Sequence, residues 1–267
     1  MIKKLLLFLV LSNTAIASYD QHEVNDFINF MSSKHSYSKE HLKLLFDEIK
    51  IEPRIKKYFK KAPERTLTWN GCKPNEKKCT NYKKLFVTKK NIDKGIIFWN
   101  QNKKTLLRAE KKFGVPSEII IAIIGIESKY GSRTGTFKTF DTLASLSLGA
   151  NKGRRAKFYK DELINFLLMC RENKLDPRKI KGSYAGALGK PQFISSSYRH
   201  YAIDFNGDNV VDLWNSNEDV IGSVANYFKK NGWKKNQLIM SNLIYENSNK
   251  KYVENESKKT YKPKTSY

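Results

Sequence analysis

Apolar residues recur every three or four positions along most of this chain, which is the period of an amphipathic α-helix. Glycine, proline and clusters of polar residues interrupt the pattern and predict irregular connections. The sequence therefore predicts a mainly α-helical protein with irregular loops and at most a small β element. The predicted helices fall within 19–61 and across 92–113, 116–131, 142–148, 154–171 and 220–230.

One predicted helix is apolar on every side. Every residue from Ile119 to Ile126 is apolar or glycine, and the run is too short to span a bilayer. Pro116 is expected at the first helical position, and Gly131 is expected to cap the end. Because a helix without a polar face must be buried in a core, this one carries Glu127 to the edge of an apolar interior.

Two interpretations of Glu127 follow from its position. Burial disfavours the charged form of a carboxylate and raises its pKa, and a raised pKa suits a general acid that protonates a leaving oxygen near neutral pH. Alternatively, Glu127 is a structural helix-end residue paired with a nearby Lys or Arg. Spacing alone leaves both interpretations open.

Composition and charge narrow the class of partner. The chain has 267 residues, 40% of them hydrophobic, which suffices for one large domain or two small ones. Its 50 Lys and Arg residues against 26 Asp and Glu residues give a net charge of +24, which favours an anionic partner. Since the basic residues are spread along the chain, a generally basic surface is favoured over a dedicated nucleic-acid module.

The amino terminus has the pattern of a secretory signal peptide. A short basic region ends at Lys4, an apolar stretch runs from Leu5 to Leu11, and a small-x-small signal ends at Ala17. We expect cleavage after Ala17, so that residues 1–17 are removed and no transmembrane segment remains; an uncleaved anchor is the alternative. No Cys follows the cleavage site, so a lipid anchor is not indicated. The mature protein is expected in the periplasm, soluble or loosely associated with the envelope.

The three cysteines fit an oxidising compartment. Cys72 and Cys79 flank a polar turn, where a local disulfide is plausible and two free thiols are the alternative. Cys170 lies in an apolar helical run and is expected to be a buried core thiol. No Cys/His cluster has the spacing of a zinc site, and the small-residue stretch 181–194 lacks the order of a phosphate-binding loop.

A polar stretch near residue 204 resembles an EF-hand calcium loop. Asn209 stands at its sixth position, where glycine is usual, and Asn tolerates the left-handed conformation needed there. Position 12 is Asn215, so the closing carboxylate must come from Glu218 or Asp219. The alternative is an Asx-rich turn with no ion. Oxygen ligands at positions 1, 3, 5, 7 and 9 would come from Asp204, Asn206, Asp208, the Val210 carbonyl and Asp212.

Six motifs stand in one order along the chain. They are Ile126-Glu-Ser-Lys-Tyr-Gly131, Arg154-Arg-Ala-Lys-Phe-Tyr159, Gly182-Ser-Tyr-Ala-Gly-Ala-Leu-Gly189 with Gln192-Phe193, Ser196-Ser-Tyr198, the loop beginning at Asp204, and Ile221-Gly-Ser-Val-Ala-Asn-Tyr-Phe228. Any one of them is weak evidence, whereas six in order are specific. Together they closely resemble the membrane-bound lytic murein transglycosylase B family over roughly Val24 to Trp233.

The resemblance implies a lysozyme-like helical fold and an enzyme that acts on peptidoglycan glycan strands. Such enzymes cleave the MurNAc–GlcNAc β-1,4 bond without water and leave a 1,6-anhydro-MurNAc end, so one carboxylate, here Glu127, is both acid and base. The implied domain is 18–245, with a catalytic core of about 106–235 and a basic, poorly ordered tail at 246–267. The implied substrate-binding residues are Ser183, Gln192, Tyr82, Tyr227, Arg154 and Arg155. The implied ligands of a structural calcium ion are Asp204, Asn206, Asp208, Val210, Asp212 and Asp219.

Two departures from the family leave other interpretations of the function open. The family continues beyond the last helix with a motif that Tyr245-Glu-Asn-Ser248 only faintly echoes, so part of the substrate cleft is expected to be open or built differently. The family name is membrane-bound, yet no lipid-attachment site is present. The alternatives are a hydrolytic muramidase and a non-catalytic peptidoglycan-binding protein. No organic cofactor and no specific nucleic-acid partner are expected, and other cell-wall enzymes are a further class of partner.

Overall fold

The computed structural model describes residues 19–49, 51–52, 54–55, 58, 67–68, 79–149 and 153–237. The elements bounded within these residues are mainly helical, as predicted. The helices are α1 Gln21–His35, α2 Lys39–Asp47, α3 Tyr82–Phe86, α4 Lys89–Phe113, α5 Ser117–Ser128, α6 Thr139–Ser147, α7 Ala156–Glu172, α8 Ser195–Tyr201 and α9 Asn217–Lys230. The strands form two short pairs, β1 Leu67–Thr68 parallel to β2 Thr80–Asn81 and β3 Phe137–Lys138 antiparallel to β4 Lys181–Gly182.

The core surrounds the apolar helix α5. This helix packs against α4 and α9, and α6 packs against α7. Ile120 and Ile124 of α5 are completely buried, as are Leu163 and Phe166 of α7. The prediction that α5 packs in the core is therefore confirmed for one face, whereas Glu118 and Ala122 on the rest of the helix are exposed. The chain divides into two compact units after Trp233, and everything described below lies in the first unit.

The ends of α5 differ from the prediction. Pro116 is the N-cap and the helix begins at Ser117, whose backbone N–H and hydroxyl both donate to the Glu110 carboxylate at 3.1 and 2.7 Å. The helix ends at Ser128, before Gly131, because Lys129 already adopts a left-handed conformation. The expectation that Gly131 caps the helix is wrong.

Other helices, among them α3, were also missed or misplaced in the prediction. Helix α6 begins three residues earlier than predicted and α9 begins at Asn217, where the Ser216 hydroxyl accepts the Asp219 N–H at 3.1 Å. Helix α8 is too short and polar for a periodic signal. It is fixed instead by the buried Glu162 carboxylate, which accepts hydrogen bonds from the Ser196 N–H at 2.9 Å and hydroxyl at 2.6 Å.

The structure describes two of the three cysteines, Cys79 and Cys170. Cys170 is a free thiol with 1% of its surface exposed, and burial raises its pKa to about 12, as expected of an inert core residue. Cys79 is disulfide-bonded, while Cys72 lies outside the described residues. The predicted signal peptide at 1–17 and tail at 246–267 also lie outside them. None of the helices in the described ranges is both long and apolar enough to cross a membrane.

Candidate functional site

Glu127 lies in the last turn of α5, at the end of a helix that the core fixes along its length. Its side chain is open to solvent, yet the surrounding protein raises the pKa of the carboxyl by desolvation. The direction favours the protonated form, which is the state that a general acid needs.

No hydrogen bond or ion pair joins Glu127 to another residue in the part of the chain that the structure describes. The structural alternative, in which Glu127 pairs with a nearby Lys or Arg, therefore has no support there. A carboxyl without a partner, at the end of a rigid helix and with a raised pKa, is free to exchange a proton with a bound molecule.

The turn behind Glu127 is strained. Lys129 and Tyr130 both have positive φ values, 50° and 59°, and residues other than glycine pay roughly 1–3 kcal/mol for such conformations. The buried Ser128 hydroxyl stabilises the turn, since it donates to the Ile124 carbonyl at 3.2 Å and accepts the Gly131 N–H at 3.0 Å. Such strain persists only where the surrounding structure determines it, and here it follows directly after the candidate acid.

A tyrosine fills a slot between two helices and fixes this turn from one side. A Cβ atom at Gly95 of α4 would lie 2.6 Å from the Tyr130 hydroxyl oxygen, and one at Gly125 of α5 would lie 2.5 Å from it. The two helices therefore admit the Tyr130 ring only because both positions lack a side chain. The ring also lies against Phe98, with 5.6 Å between the centroids.

The chain that follows the turn runs beside the small-residue loop. Strand β3 pairs with β4, and a Cβ atom at Gly135 would lie only 2.0 Å from the Gly182 carbonyl oxygen. The Gln192 side-chain amide donates to the Thr134 carbonyl at 3.3 Å. The small residues of this loop allow a close backbone approach, and the approaching surface is the segment after α5. This contact joins the Glu127 helix to the loop that carries Ser183 and Gln192.

Ser183 organises its own loop. Its hydroxyl oxygen accepts the N–H groups of Ala185 at 3.2 Å and Ala187 at 3.0 Å. A serine hydroxyl has one proton and two lone pairs, so these bonds leave the proton able to donate. Ser183 thus presents a fixed hydrogen-bond donor.

Gln192 and Tyr227 lie at the other end of the same loop. Gln192 has a φ of 52°, and its amide also donates to the Gly189 carbonyl at 2.8 Å, which leaves its side-chain oxygen as an acceptor. Tyr227 of α9 is 37% exposed, and its ring centroid lies 5.6 Å from that of Phe193 and 4.9 Å from that of Tyr201. An exposed ring therefore stands beside the loop.

The other predicted contacts with substrate stay predictions. Tyr82 is the first residue of α3, where its ring packs on Phe86 at 4.4 Å. Arg154 and Arg155 are exposed just before α7, and the Arg155 guanidinium stacks over Phe158 at 4.4 Å. These contacts place the three residues on the fold but do not join them to Glu127.

The Asp204 loop is stabilised by its own side chains. The two carboxylate oxygens of Asp204 accept the N–H groups of Gly207 and Asn209 at 2.6 and 2.7 Å, which lowers the pKa of Asp204. Asn209 has a φ of 67°, so the predicted left-handed conformation is confirmed. Asp208 accepts the Val210 N–H at 2.8 Å. The loop thus forms a series of Asx turns.

Asp219 has a role that its assignment as a metal ligand did not anticipate. It is completely buried, and its two oxygens accept the N–H groups of Phe205, Asn206 and Asp212 at 2.8, 3.3 and 2.9 Å. The oxygen-only donors of the loop suit calcium by their chemistry. Within the described ranges, however, no cluster of three or more His, Cys, Asp or Glu side chains is placed to hold a metal ion. The calcium loop is therefore not established by this geometry.

Sequence reasoning missed the residues that support the site. Tyr130 and Lys190 were passed over because their contacts join segments far apart in the chain. Glu162 lies in an apolar helical run, where a buried carboxylate signals an internal partner. The sequence signal for Tyr130 is the pair of glycines, Gly95 and Gly125, inside two helices, since glycine within a helix usually has a packing reason.

Comparison with known proteins places the chain in a family. The model of the family described as "Transglycosylase SLT domain" matches residues 19–266. Membrane-bound lytic murein transglycosylase B of Escherichia coli (strain K12) is 40% identical over 213 residues, which are 80% of this chain and 58% of that protein. This chain therefore spans little more than half the length of that relative.

Solved structures agree with this assignment. Soluble lytic transglycosylase SltB1 from Pseudomonas aeruginosa is 37% identical with a TM-score of 0.72, over 81% of this chain and 69% of that one. The Escherichia coli lytic transglycosylase Slt35, solved in complex with calcium, is 38% identical with a TM-score of 0.72, over 84% of this chain and 67% of that one. The partnerless carboxyl on a buried helix, the loop beside it and these matches lead to one conclusion: the chain belongs to the SLT transglycosylase family, with the lysozyme-like helical fold of lytic transglycosylases.

Proposed function

We propose that this protein is a lytic transglycosylase that cleaves the MurNAc–GlcNAc β-1,4 bond of peptidoglycan and forms a 1,6-anhydro-MurNAc end, with Glu127 as acid and base. The observation that carries the proposal is the Glu127 carboxyl, which has a raised pKa and no partner among the described residues. The names of the relatives, lytic murein transglycosylases, support the same reaction.

The proposed reaction needs one carboxyl and no added water. Protonated Glu127 gives its proton to the glycosidic oxygen as the bond to MurNAc C1 breaks, and the GlcNAc side leaves with a new hydroxyl. The 6-hydroxyl of the same MurNAc then bonds to C1 and gives its proton to the Glu127 carboxylate. Glu127 ends the cycle protonated, so atoms and charge balance. The Ser183 hydroxyl proton and the Gln192 side-chain oxygen are available to orient the sugar.

The two buried carboxylates of the described chain are committed to structural hydrogen bonds. An ordinary glycosidase places two carboxyl groups across the scissile bond. Glu162 and Asp219 are the buried acidic residues of the described chain, and both are bonded, to Ser196 and to three backbone N–H groups respectively. Neither is available as a second catalytic carboxylate.

The test is digestion of purified peptidoglycan sacculi, with mass analysis of the released muropeptides. The wild type is expected to release anhydro-muropeptides, and Glu127→Gln is expected to lower the rate by at least about a thousandfold, since general acid–base catalysis contributes roughly 10²–10⁴ and Glu127 acts in both steps. Glu118→Gln is the matched control, because Glu118 is an exposed glutamate in the first turn of the same helix.

The other outcomes separate the alternatives. Hydrated reducing ends from the wild type would identify a hydrolytic muramidase. No product from the wild type, together with retention of the protein on sacculi, would identify a non-catalytic peptidoglycan-binding protein. Equal activity of Glu127→Gln and Glu118→Gln would exclude Glu127 as the acid.

We also propose that the Asp204 loop binds a structural calcium ion. Three things support this: the oxygen donors of Asp204, Asn206, Asp208 and Asp212, the free lone pairs that their oxygens retain, and the calcium in the Slt35 structure. Calcium at 100 times its dissociation constant should stabilise the fold by about 2.7 kcal/mol. Thermal unfolding with calcium and with EGTA measures this, and an equal rise in Asp208→Ala would refute the loop as the site.

Localisation and substrate contacts complete the proposal. We infer export through the signal peptide at 1–17, a periplasmic location, and contact between the exposed Arg154 and Arg155 and the peptide-stem carboxylates of peptidoglycan. Sequencing the amino terminus of the protein recovered from a periplasmic extract tests the cleavage. An intact Met1 would refute it.

A further inference from the structure

Lys190 lies in the middle of the loop that carries Ser183 and Gln192, and unlike most lysines it is half-buried. Lysine usually extends its ammonium into water, because removing the charge from solvent is costly. Desolvation here lowers the pKa of Lys190. A half-buried ammonium in this position therefore needs a structural or functional reason.

Three hydrogen bonds tie Lys190 to the segment that leads into α9. Its ammonium donates to the Asn217 side-chain oxygen at 2.5 Å and to the Asn215 carbonyl at 3.3 Å. Its backbone N–H donates to the Leu213 carbonyl at 2.8 Å. All three acceptors lie within five residues of one another, so the residue is fixed at both its backbone and its tip.

The stem of Lys190 packs against the strained turn behind Glu127. A Cβ atom at Gly131 would lie 2.8 Å from Lys190 Cε and 3.1 Å from both Cδ and Cγ. Gly131 also has a φ of 86°, so this position excludes a side chain on two grounds. The methylenes of Lys190 thus pack against the turn at Gly131.

We propose that Lys190 is a positioning residue for Glu127 in the transglycosylase reaction, an inference that rests on the proposed function. One side chain joins the turn after α5, the Ser183–Gln192 loop and the start of α9, and these are the elements that must hold their relative positions while Glu127 passes a proton to and from the sugar. The ammonium is anchored at the start of α9, and the methylenes of the stem pack on the turn.

Two variants separate the contribution of the Lys190 ammonium from that of its stem. Lys190→Met keeps an unbranched apolar stem and removes the ammonium bonds, whereas Lys190→Ala removes both. We expect kcat on soluble glycan strands to fall about tenfold in Lys190→Met and about a hundredfold in Lys190→Ala, with KM within twofold, because a misplacement near 1 Å costs up to about 10² in rate. Lys104→Met is the control, since it removes the same charge from an exposed position on α4.

A second measurement does not depend on activity. Amide hydrogen exchange of 129–134 should become faster in Lys190→Ala and stay unchanged in Lys104→Met. If both Lys190 variants match Lys104→Met in kcat and in exchange, the inference is refuted; so it is if Lys190→Met changes KM alone. A wild type without turnover would refute the proposed function instead, and hydrogen exchange would then decide whether Lys190 fixes the turn.

Discussion

The turn at 129–131 and the loop at 204–212 are both irregular, both contain residues other than glycine in left-handed conformations, and both adjoin carboxylates. They are stabilised in different ways. The turn is fixed from outside, by the Tyr130 ring between two helices and by the stem of Lys190. The loop is fixed from within, by carboxylates that accept its own N–H groups.

The difference follows from what each carboxylate must do. A carboxylate that stabilises a loop uses its oxygens for hydrogen bonds, as Asp204 and Asp219 do. Glu127 has no partner among the described residues and contributes nothing to its own placement, which suits the proton exchange proposed for it. Its position therefore has to come from apolar packing around the neighbouring turn.

The largest effect on stability is expected where the loop depends on one carboxylate. Asp219→Ala leaves the N–H groups of Phe205, Asn206 and Asp212 without their acceptor. We expect the free energy of unfolding to fall by about 3 kcal/mol, because a buried donor left unsatisfied costs roughly 1–3 kcal/mol and, of the three donors, only Phe205 is a buried residue. Urea denaturation followed by circular dichroism measures it.

Asp208→Ala is the matched control for this prediction. Asp208 is exposed and accepts a hydrogen bond from Val210 at the loop surface, so in EGTA, where no calcium is bound, its loss should cost less than about 1 kcal/mol. Equal losses in the two variants would show that the loop does not depend on an internal carboxylate and would remove the contrast with the turn.

The next prediction tests whether the Tyr130 ring, packed between α4 and α5, fixes the turn. Gly95→Ala places a methyl group 2.6 Å from the Tyr130 hydroxyl oxygen, so overpacking of roughly 1–3 kcal/mol should exceed the gain of about 1 kcal/mol in helix propensity. In a Tyr130→Phe background the nearest ring atom is 3.2 Å away, and the same change should become stabilising. Thermal unfolding of the four proteins measures this reversal of sign.

The same four proteins can also contradict the position of the Tyr130 hydroxyl between the two helices. If Gly95→Ala has the same effect with Tyr130 and with Phe at that position, the hydroxyl does not occupy the space between α4 and α5. The strained turn would then need another explanation.

Much of the fold follows from local sequence. The apolar run of α5 and the periodic stretches of α4, α7 and α9 predict those helices because each is long enough to show its burial pattern. Gly114 ends α4 as predicted, with a φ of 73°. The short helix α8 escaped prediction because a distant carboxylate, Glu162, stabilises its start.

The candidate site likewise contains residues that could be predicted from local sequence and residues that could not. The placement of Glu127 at the end of an apolar helix and the left-handed Asn209 could be predicted, since each depends on its immediate neighbours in the chain. Lys190, Tyr130 and the structural use of Asp219 could not, because their contacts join segments that only the tertiary structure brings together. The sequence thus indicates the proposed acid more readily than the residues that hold it in place.

The smallest effect concerns the stability cost of leaving Glu127 without a partner. Desolvation raises the folded-state pKa of Glu127 above its ordinary value of 4.5, so the folded state binds the proton more tightly than the unfolded state does. Stability from this group is therefore complete below pH 4.5 and is lost as the pH rises through the raised folded value.

Glu127→Gln removes this titration, so the variant should gain stability relative to the wild type as the pH rises from 4 to 8. Glu118→Gln removes the same negative charge from a protein of net charge +24 and corrects for long-range electrostatics. Chemical denaturation of the three proteins across this range measures the difference. The turnover of the wild type should fall over the same upper part of the range, because the general acid loses its proton there. A wild type that gains stability over Glu127→Gln with rising pH would show that Glu127 has a stabilising partner and would end the contrast with the Asp204 loop.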